Sequence, residues 1–360
     1  MKFIRIIITK SNPKLIRVLK KLRTAAVILL AFLIFWIWWW HFSSPGWPLS
    51  DNVTGSRGDF SLAAPLPCSR TEAGITELNG KIYIIGGING WGQTLTSFVS
   101  FDPALETWTI LPDLPEPINH PGVVSYGTKV FVVGGFDPLG IRLRGFMFAK
   151  WDARASVYVY DINDRQWSRA PELPEPRGAG GVCFGDQSIW YVGGIKENRE
   201  LSDDLFKFDL ESQTWTRMKP MPSPRDHLRL EFVSGRLYAI SGRKDDLRFN
   251  LSNVEVYDTF ENRWITAASI PAARGGLASA VWGSYIYTFG GESVWTCLDI
   301  IERYDTRSDK WEIVDRLPEG RHGIGAAVVN GRIHLIGGGR HPRISASSIH
   351  RIYTPKTDGK

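Results

Sequence analysis

Lys81-Ile-Tyr-Ile-Ile-Gly86-Gly87 decides the fold, because the chain repeats it. It recurs as Lys129-Val-Phe-Val-Val-Gly134-Gly135, Ile189-Trp-Tyr-Val-Gly193-Gly194 and Arg236-Leu-Tyr-Ala-Ile-Ser241-Gly242. Two further copies are Tyr285-Ile-Tyr-Thr-Phe-Gly290-Gly291 and Arg332-Ile-His-Leu-Ile-Gly337-Gly338. Outward from each glycine pair comes an aromatic-Asp step: Phe101-Asp102, Tyr160-Asp161, Phe208-Asp209, Tyr257-Asp258 and Tyr304-Asp305. Six residues after each aspartate stands a tryptophan: Trp108, Trp167, Trp215, Trp264 and Trp311. Leu-Pro or a variant follows, and then Arg177, Arg225, Arg274 or Arg321.

Each copy reads as four short strands, a to d. An apolar strand b ends in glycines where neighbouring backbones approach closely. The Asp turns strand c into strand d, and the Trp on strand d can wedge between units. One such unit cannot bury its faces alone, whereas a ring of them leaves only short edges. The order of landmarks, at a period of about 50 residues, resembles the kelch-repeat family over roughly residues 58–355. The resemblance implies an all-β, six-bladed propeller. This chain departs from the pattern at Ser241, which replaces a glycine, and at Ile118 and His120, where other d–a turns carry arginine.

The last copy stops at Tyr353-Thr-Pro355 without a strand d. Phe60-Ser-Leu-Ala-Ala-Pro-Leu66-Pro67-Cys-Ser-Arg70 matches Trp167-Ser-Arg-Ala-Pro-Glu-Leu173-Pro174-Glu-Pro-Arg177 in spacing. The N-terminal segment is therefore expected to supply the missing strand and close the ring.

Before the propeller the sequence changes character. Residues 1–23 carry eight basic side chains and no acidic one. Removing those eight from the net charge of +6 leaves about −2 for the remainder, so the pI near 9.1 belongs to this segment. Nucleic-acid binding is not expected. Ala25 to Trp40 is an unbroken apolar run. Residues 24–42 are expected to form one transmembrane signal anchor. The basic flank would stay cytoplasmic and the propeller would be exported, to a periplasmic, extracellular or lumenal space. Residues 43–57 read as a linker and 356–360 as a tail. The cysteines, Cys68, Cys183 and Cys297, form no CxxC pair and read as small packing residues.

Loops sort by face, since strands alternate direction. The d–a turns hold Arg70, His120, Arg177, Arg225, His227, Arg274, Arg321 and His322, the candidate ligand-binding residues. The b–c loops on the same face add cations, among them Lys196, Arg199, Lys244, Arg248, Arg340 and Arg343. The c–d turns on the opposite face are acidic. In kelch proteins the d–a and b–c loops commonly make the ligand contacts, and arginine forks suit carboxylate, phosphate or sulfate groups. The aromatic insertion Phe146-Met-Phe148-Ala-Lys-Trp151 reads as a lid or a partner contact.

No HExxH, GxSxG or Walker loop is present, and no cofactor or metal is expected. The expectation is a membrane-anchored binding or scaffold module for an acidic protein or anionic glycan, not an enzyme. The alternative, implied by exported bacterial kelch proteins, is a mutarotase or epimerase acting on an acidic sugar such as a sialic acid. An adaptor role would need a BTB or F-box domain, and residues 1–57 carry the apolar run instead.

Overall fold

The computed structural model describes residues 13–43, 52–55, 57–139, 150–244, 246–343 and 345–356. The chain divides into two compact units, Met1–Ser44 and Pro45–Lys360. The first contains the helix Pro13–Ser43.

Among the described residues, no helix is long and apolar enough to cross a membrane. The side chains described on this helix span Leu19 to Trp36, with Lys20, Lys21 and Arg23 in that same stretch. The expected single-pass location, with a cytoplasmic N-terminus and an exported propeller, is corrected accordingly. The side chains of Trp38, Trp39 and Trp40 lie outside the described residues.

The second unit is a six-bladed all-β propeller. The first blade runs through Gly74–Leu78, Lys81–Ile85, Phe98–Asp102 and Thr107–Leu111. The second uses Gly122–Tyr126, Lys129–Val133, Val157–Asp161 and Gln166–Ala170. The third to fifth begin at Gly181–Gly185, Arg229–Val233 and Ala278–Trp282 and repeat the same antiparallel order. The core lies between blades. Tyr83, Ile85 and Phe98 of the first blade, for example, pack on Val130, Val132, Tyr158 and Tyr160 of the second.

The tryptophans and the glycine pairs make contacts from blade to blade. The Trp indole N–H groups donate backwards: Trp108 to Ala64 O at 2.9 Å, Trp167 to Pro112 O at 2.8 Å and Trp215 to Pro171 O at 2.9 Å. Trp264 and Trp311 do likewise, to Lys219 O and Ala268 O at 2.8 Å. The first glycine of each pair lies under the next blade. At Gly134 (φ +59°) a Cβ would stand 2.5 Å from Arg177 O. Ser241 takes the same left-handed conformation (φ 57°). Its hydroxyl lies 2.5 Å from Arg274 O and 3.0 Å from Leu251 O, so the close approach becomes a hydrogen bond.

The sixth blade, Gly325–Val329, Arg332–Ile336 and His350–Pro355, receives Gly58–Leu62 as its fourth strand. Phe60 stands opposite Tyr353, with ring centroids 5.0 Å apart. A further strand, Asn52–Thr54, pairs outside it with Val53 opposite Phe60. Part of the expected linker is thus sheet. The closing joint also holds two buried histidines. His334 Nδ1 lies 2.9 Å from His350 Nε2, and His350 Nδ1 lies 3.2 Å from Ala64 O. His350 is set edge-on against Phe101 at 4.5 Å. Burial lowers both, His334 to about 4 and His350 to about 3.

Two predictions follow from the closure. Phe60→Ala should lower stability by about 3–5 kcal/mol, as for other buried aromatics, read by chemical denaturation; a loss below ~1 kcal/mol would mean the strand does not hold the ring. The histidines give a pH signature. Their folded pKa values lie below the unfolded value, so the unfolded chain binds protons that the folded chain refuses. Their stabilisation is complete above about pH 6.5 and falls towards pH 4, by about 1.4 kcal/mol per pH unit for each histidine. Replacing both by glutamine should flatten the stability profile in that window, and an unchanged slope would contradict the assignment.

Candidate functional site

The d–a turns converge at one mouth of the central channel. Two residues beyond the arginine position, the six blades carry Glu72, His120, Ala179, His227, Gly276 and Gly323. All six have positive φ, between 51° and 63°. This conformation turns each N–H towards the carbonyl of the equivalent residue one blade back. His120 donates to Glu72 O at 2.9 Å, Ala179 to His120 O at 3.2 Å and His227 to Ala179 O at 2.8 Å. Gly276 donates to His227 O at 3.2 Å, Gly323 to Gly276 O at 2.7 Å, and Glu72 closes the circle on Gly323 O at 3.1 Å.

A second circle lies behind it. The second glycine of each pair donates to the main-chain carbonyl at the next blade's arginine position. Gly87 binds Ile118 O at 2.8 Å, Gly135 binds Arg177 O at 2.7 Å, and Gly338 completes the series on Arg70 O at 2.8 Å.

The arginines themselves do not come together. Each is buried in its own blade. Arg70 donates to Gly86 O at 3.1 Å, and Arg321 to Gly337 O at 2.7 Å. Arg177 pairs with Asp204 and with Glu175 at 2.9 Å. Arg225 pairs with Glu255 at 2.6 Å and donates to Ala239 O at 3.0 Å. Arg274 pairs with Glu302 and donates to Ala272 O at 2.7 Å. Burial lowers Arg321 to about 10, so it stays charged at neutral pH. Each guanidinium has at least one terminal nitrogen bonded to a nearby carbonyl or carboxylate inside the protein.

What reaches the mouth is histidine and carboxylate. The His120 and His227 rings lie 4.9 Å apart between centroids. His120 Nε2 is 3.4 Å from Glu72 Oε2, and His322 Nδ1 is 3.5 Å from Glu72 Oε1. His322 Nδ1 also stands 3.7 Å from Glu292. Arg243 ties the rest together. Its guanidinium reaches Asp226 at 3.1 Å, Glu292 at 2.9 Å and His227 Nε2 at 2.9 Å. Burial raises the Glu72 carboxyl, but His120, His322 and His227 outweigh it and hold Glu72 well below the usual carboxylate range. Burial lowers His120 to about 3, against the pull of Glu72. His322 lies above its ordinary value, because Glu292 and Glu72 outweigh its burial.

Below the ring, Arg229 crosses the channel and donates to Leu277 O at 2.6 Å and Ile324 O at 2.9 Å. It lines both a mouth cavity of about 50 Å³ and a deeper one of about 300 Å³.

The b–c loops of this face expose aromatics. Trp295 is 90% exposed, Phe249 55% and Trp91 46%. Lys244, Arg248 and Arg343 are exposed beside them in the same loop set, and Arg248 stacks over Phe249 at 5.6 Å. Phe146 and Phe148 lie outside the described residues, as does the side chain of Trp151. The insertion is anchored by a two-stranded pair, Phe136–Leu139 with Lys150–Ala153. Sequence reasoning missed Glu72, Arg229 and Glu292 as site residues. Stacking the repeats on their arginines would have found Glu72, at the same offset as His120 and His227.

Comparison with known proteins agrees with the blade count. The family profile described as KLHDC2/KLHL20/DRC7 Kelch-repeats domain matches residues 51–242, and the Kelch motif matches residues 273–318. Kelch-like protein terF of Aspergillus terreus is 28% identical over 246 residues, covering 65% of this chain and 41% of the relative. Beta-scruin of Limulus polyphemus is 24% identical over 220 residues, covering 60% of this chain and 24% of the relative. The chain thus spans less than half the length of these curated relatives. A solved structure, "Structure of YjhT", superposes with a TM-score of 0.70 at 15% identity, over 81% of this chain and 96% of that one. At that identity the likeness is one of fold alone.

The buried arginines yield a test. Glu255→Ala strands the Arg225 guanidinium without its partner and should cost about 3–5 kcal/mol. The pair of changes Arg225→Met and Glu255→Leu should cost clearly less than either change alone. Additive losses in a double-mutant cycle would show that the two side chains are not coupled.

Proposed function

The chain belongs to the kelch-repeat family, and from that premise we propose that its propeller is a non-catalytic binding scaffold whose d–a and b–c loop face docks an acidic peptide segment of a partner protein. The observation that carries this reading is the set of exposed aromatics Trp295, Phe249 and Trp91 with Lys244, Arg248 and Arg343 around them. Aromatic and arginine side chains dominate the energetics of protein interfaces, and rim cations favour a partner of opposite charge. The rim cations are those of the b–c loops, since the d–a arginines are held inside the blades.

The sugar-isomerase reading is the weaker one. It needs the arginines of the d–a turns to line the channel as anion ligands, and Arg177, Arg225 and Arg274 already hold buried carboxylates.

Selection of a displayed random peptide library on the full chain tests the proposal. Acidic sequences with apolar anchors should be enriched. Trp295→Ala should weaken the selected peptides by about 2 kcal/mol or more, the range of an interface hot spot. Peptides with no acidic bias, or unaltered binding by Trp295→Ala and Arg343→Ala, would overturn it.

A further inference from the structure

We propose that Glu72, His120 and His227 form a binding site for a divalent transition metal, with Zn²⁺ the reference ion, at the channel mouth. The three side chains come from the first, second and fourth blades, and each offers a ligand atom within 4.8 Å of the others. Two imidazoles and one carboxylate are the donor set that zinc and its first-row neighbours favour over Mg²⁺ or Ca²⁺. Around a tetrahedral ion with bonds of ~2.0–2.1 Å, ligand atoms lie about 3.3 Å apart. His120 Nε2 and Glu72 Oε2 already stand at 3.4 Å. Only the His227 side has to close in.

The surrounding groups prepare both imidazoles. His120 Nδ1 is 2.6 Å from Asn119 Oδ1, and His227 Nδ1 is bonded to the Asp226 carboxylate. Each Nδ1–H therefore has an oxygen acceptor, which leaves the Nε2 lone pair to face the site. Metal-bound histidines are oriented by this kind of partner. A second, independent observation points the same way. His322 is fully buried beside the cluster, and neither of its ring nitrogens makes a hydrogen bond. Its Nδ1 faces the second Glu72 oxygen at 3.5 Å, close enough to orient the carboxylate towards the ion. A buried imidazole without a hydrogen bond is costly unless something at the site completes it.

Glu72, His120 and His227 also hold left-handed backbone, where Gly276 and Gly323 take it without strain. The mouth cavity of about 50 Å³ is lined by all three, so one coordination position opens on space for a water or an incoming ligand. One contact competes. Arg243 donates to His227 Nε2 at 2.9 Å, and the metal must displace it. Arg243 keeps Asp226 and Glu292 as partners when it moves. The site uses only main-chain closure and these side chains, so it is independent of peptide docking at the b–c loops.

The test uses the full chain stripped with a chelator and titrated with Co²⁺, then Zn²⁺. Expected are one ion per chain, visible Co²⁺ bands of tetrahedral type that Zn²⁺ abolishes, and a Zn²⁺-dependent rise in Tm. His120→Gln and His227→Gln should each remove the bands, with circular dichroism showing the propeller still folded. Asp226→Asn should weaken binding ~10-fold or more, as loss of a histidine's orienting partner does. Arg243→Gln, by releasing His227 Nε2, should tighten it. Spectra unaltered by His120→Gln and His227→Gln would locate the ion elsewhere and overturn the proposal. So would the absence of stoichiometric binding by the wild-type chain, or weaker binding by Arg243→Gln.

Discussion

Six main-chain N–H groups, each bonded to the carbonyl of the equivalent residue one blade back, close a circle at the channel mouth. The last bond, from Glu72 to Gly323, joins opposite ends of the chain. Everything else in the propeller depends on that closure. A circle of six bonds exists only if all six blades are present and each turn residue keeps a positive φ. The bond cannot form until the first and last blades meet, and they meet because Gly58–Leu62 completes the sheet of His350–Pro355. The circle is therefore a tertiary property that no single blade has.

The same closure explains why the arginines serve structure and the histidines face the mouth. The carbonyl at each arginine position, Ile118 in the second blade, accepts from the preceding blade's second glycine. Those residues sit at the joint, with their side chains directed into their own blades. Two residues on, the chain has turned towards the axis, and side chains there meet across the mouth. Glu72, His120 and His227 meet at that point because three of the six positions are not glycine or alanine. A polar cluster in so small a cavity is held rigid by the main chain behind it, as pre-organised sites require.

Much of this fold was legible in the sequence, because a repeat states its own boundaries. The glycine pairs and the tryptophans each mark a contact between blades, the Asp turns cap the c–d corners, and the match between residues 60–70 and 167–177 located the closing strand. The site was less legible. A d–a arginine looks like a ligand residue in sequence, and only packing shows that Glu255 or Glu302 is buried against it. His120 and Arg243, which meet His227, lie in other turns and loops, and pairings across a ring leave no local spacing to read. Asn52–Thr54 carried no strand signal apart from its pairing with Gly58–Leu62. The apolar run at 25–40 was read from its length and its basic flank, and among the described residues no helix is long and apolar enough for a span.

Hydrogen exchange, read residue by residue at Glu72, His120, Ala179, His227, Gly276 and Gly323, tests the closed circle most directly. In the intact chain the six amides should exchange together, through global opening only. In a chain lacking residues 52–62, all six should lose protection to the same degree, because the circle is one cooperative unit. Loss confined to Glu72 and Gly323, with His120, Ala179, His227 and Gly276 still protected, would contradict the account.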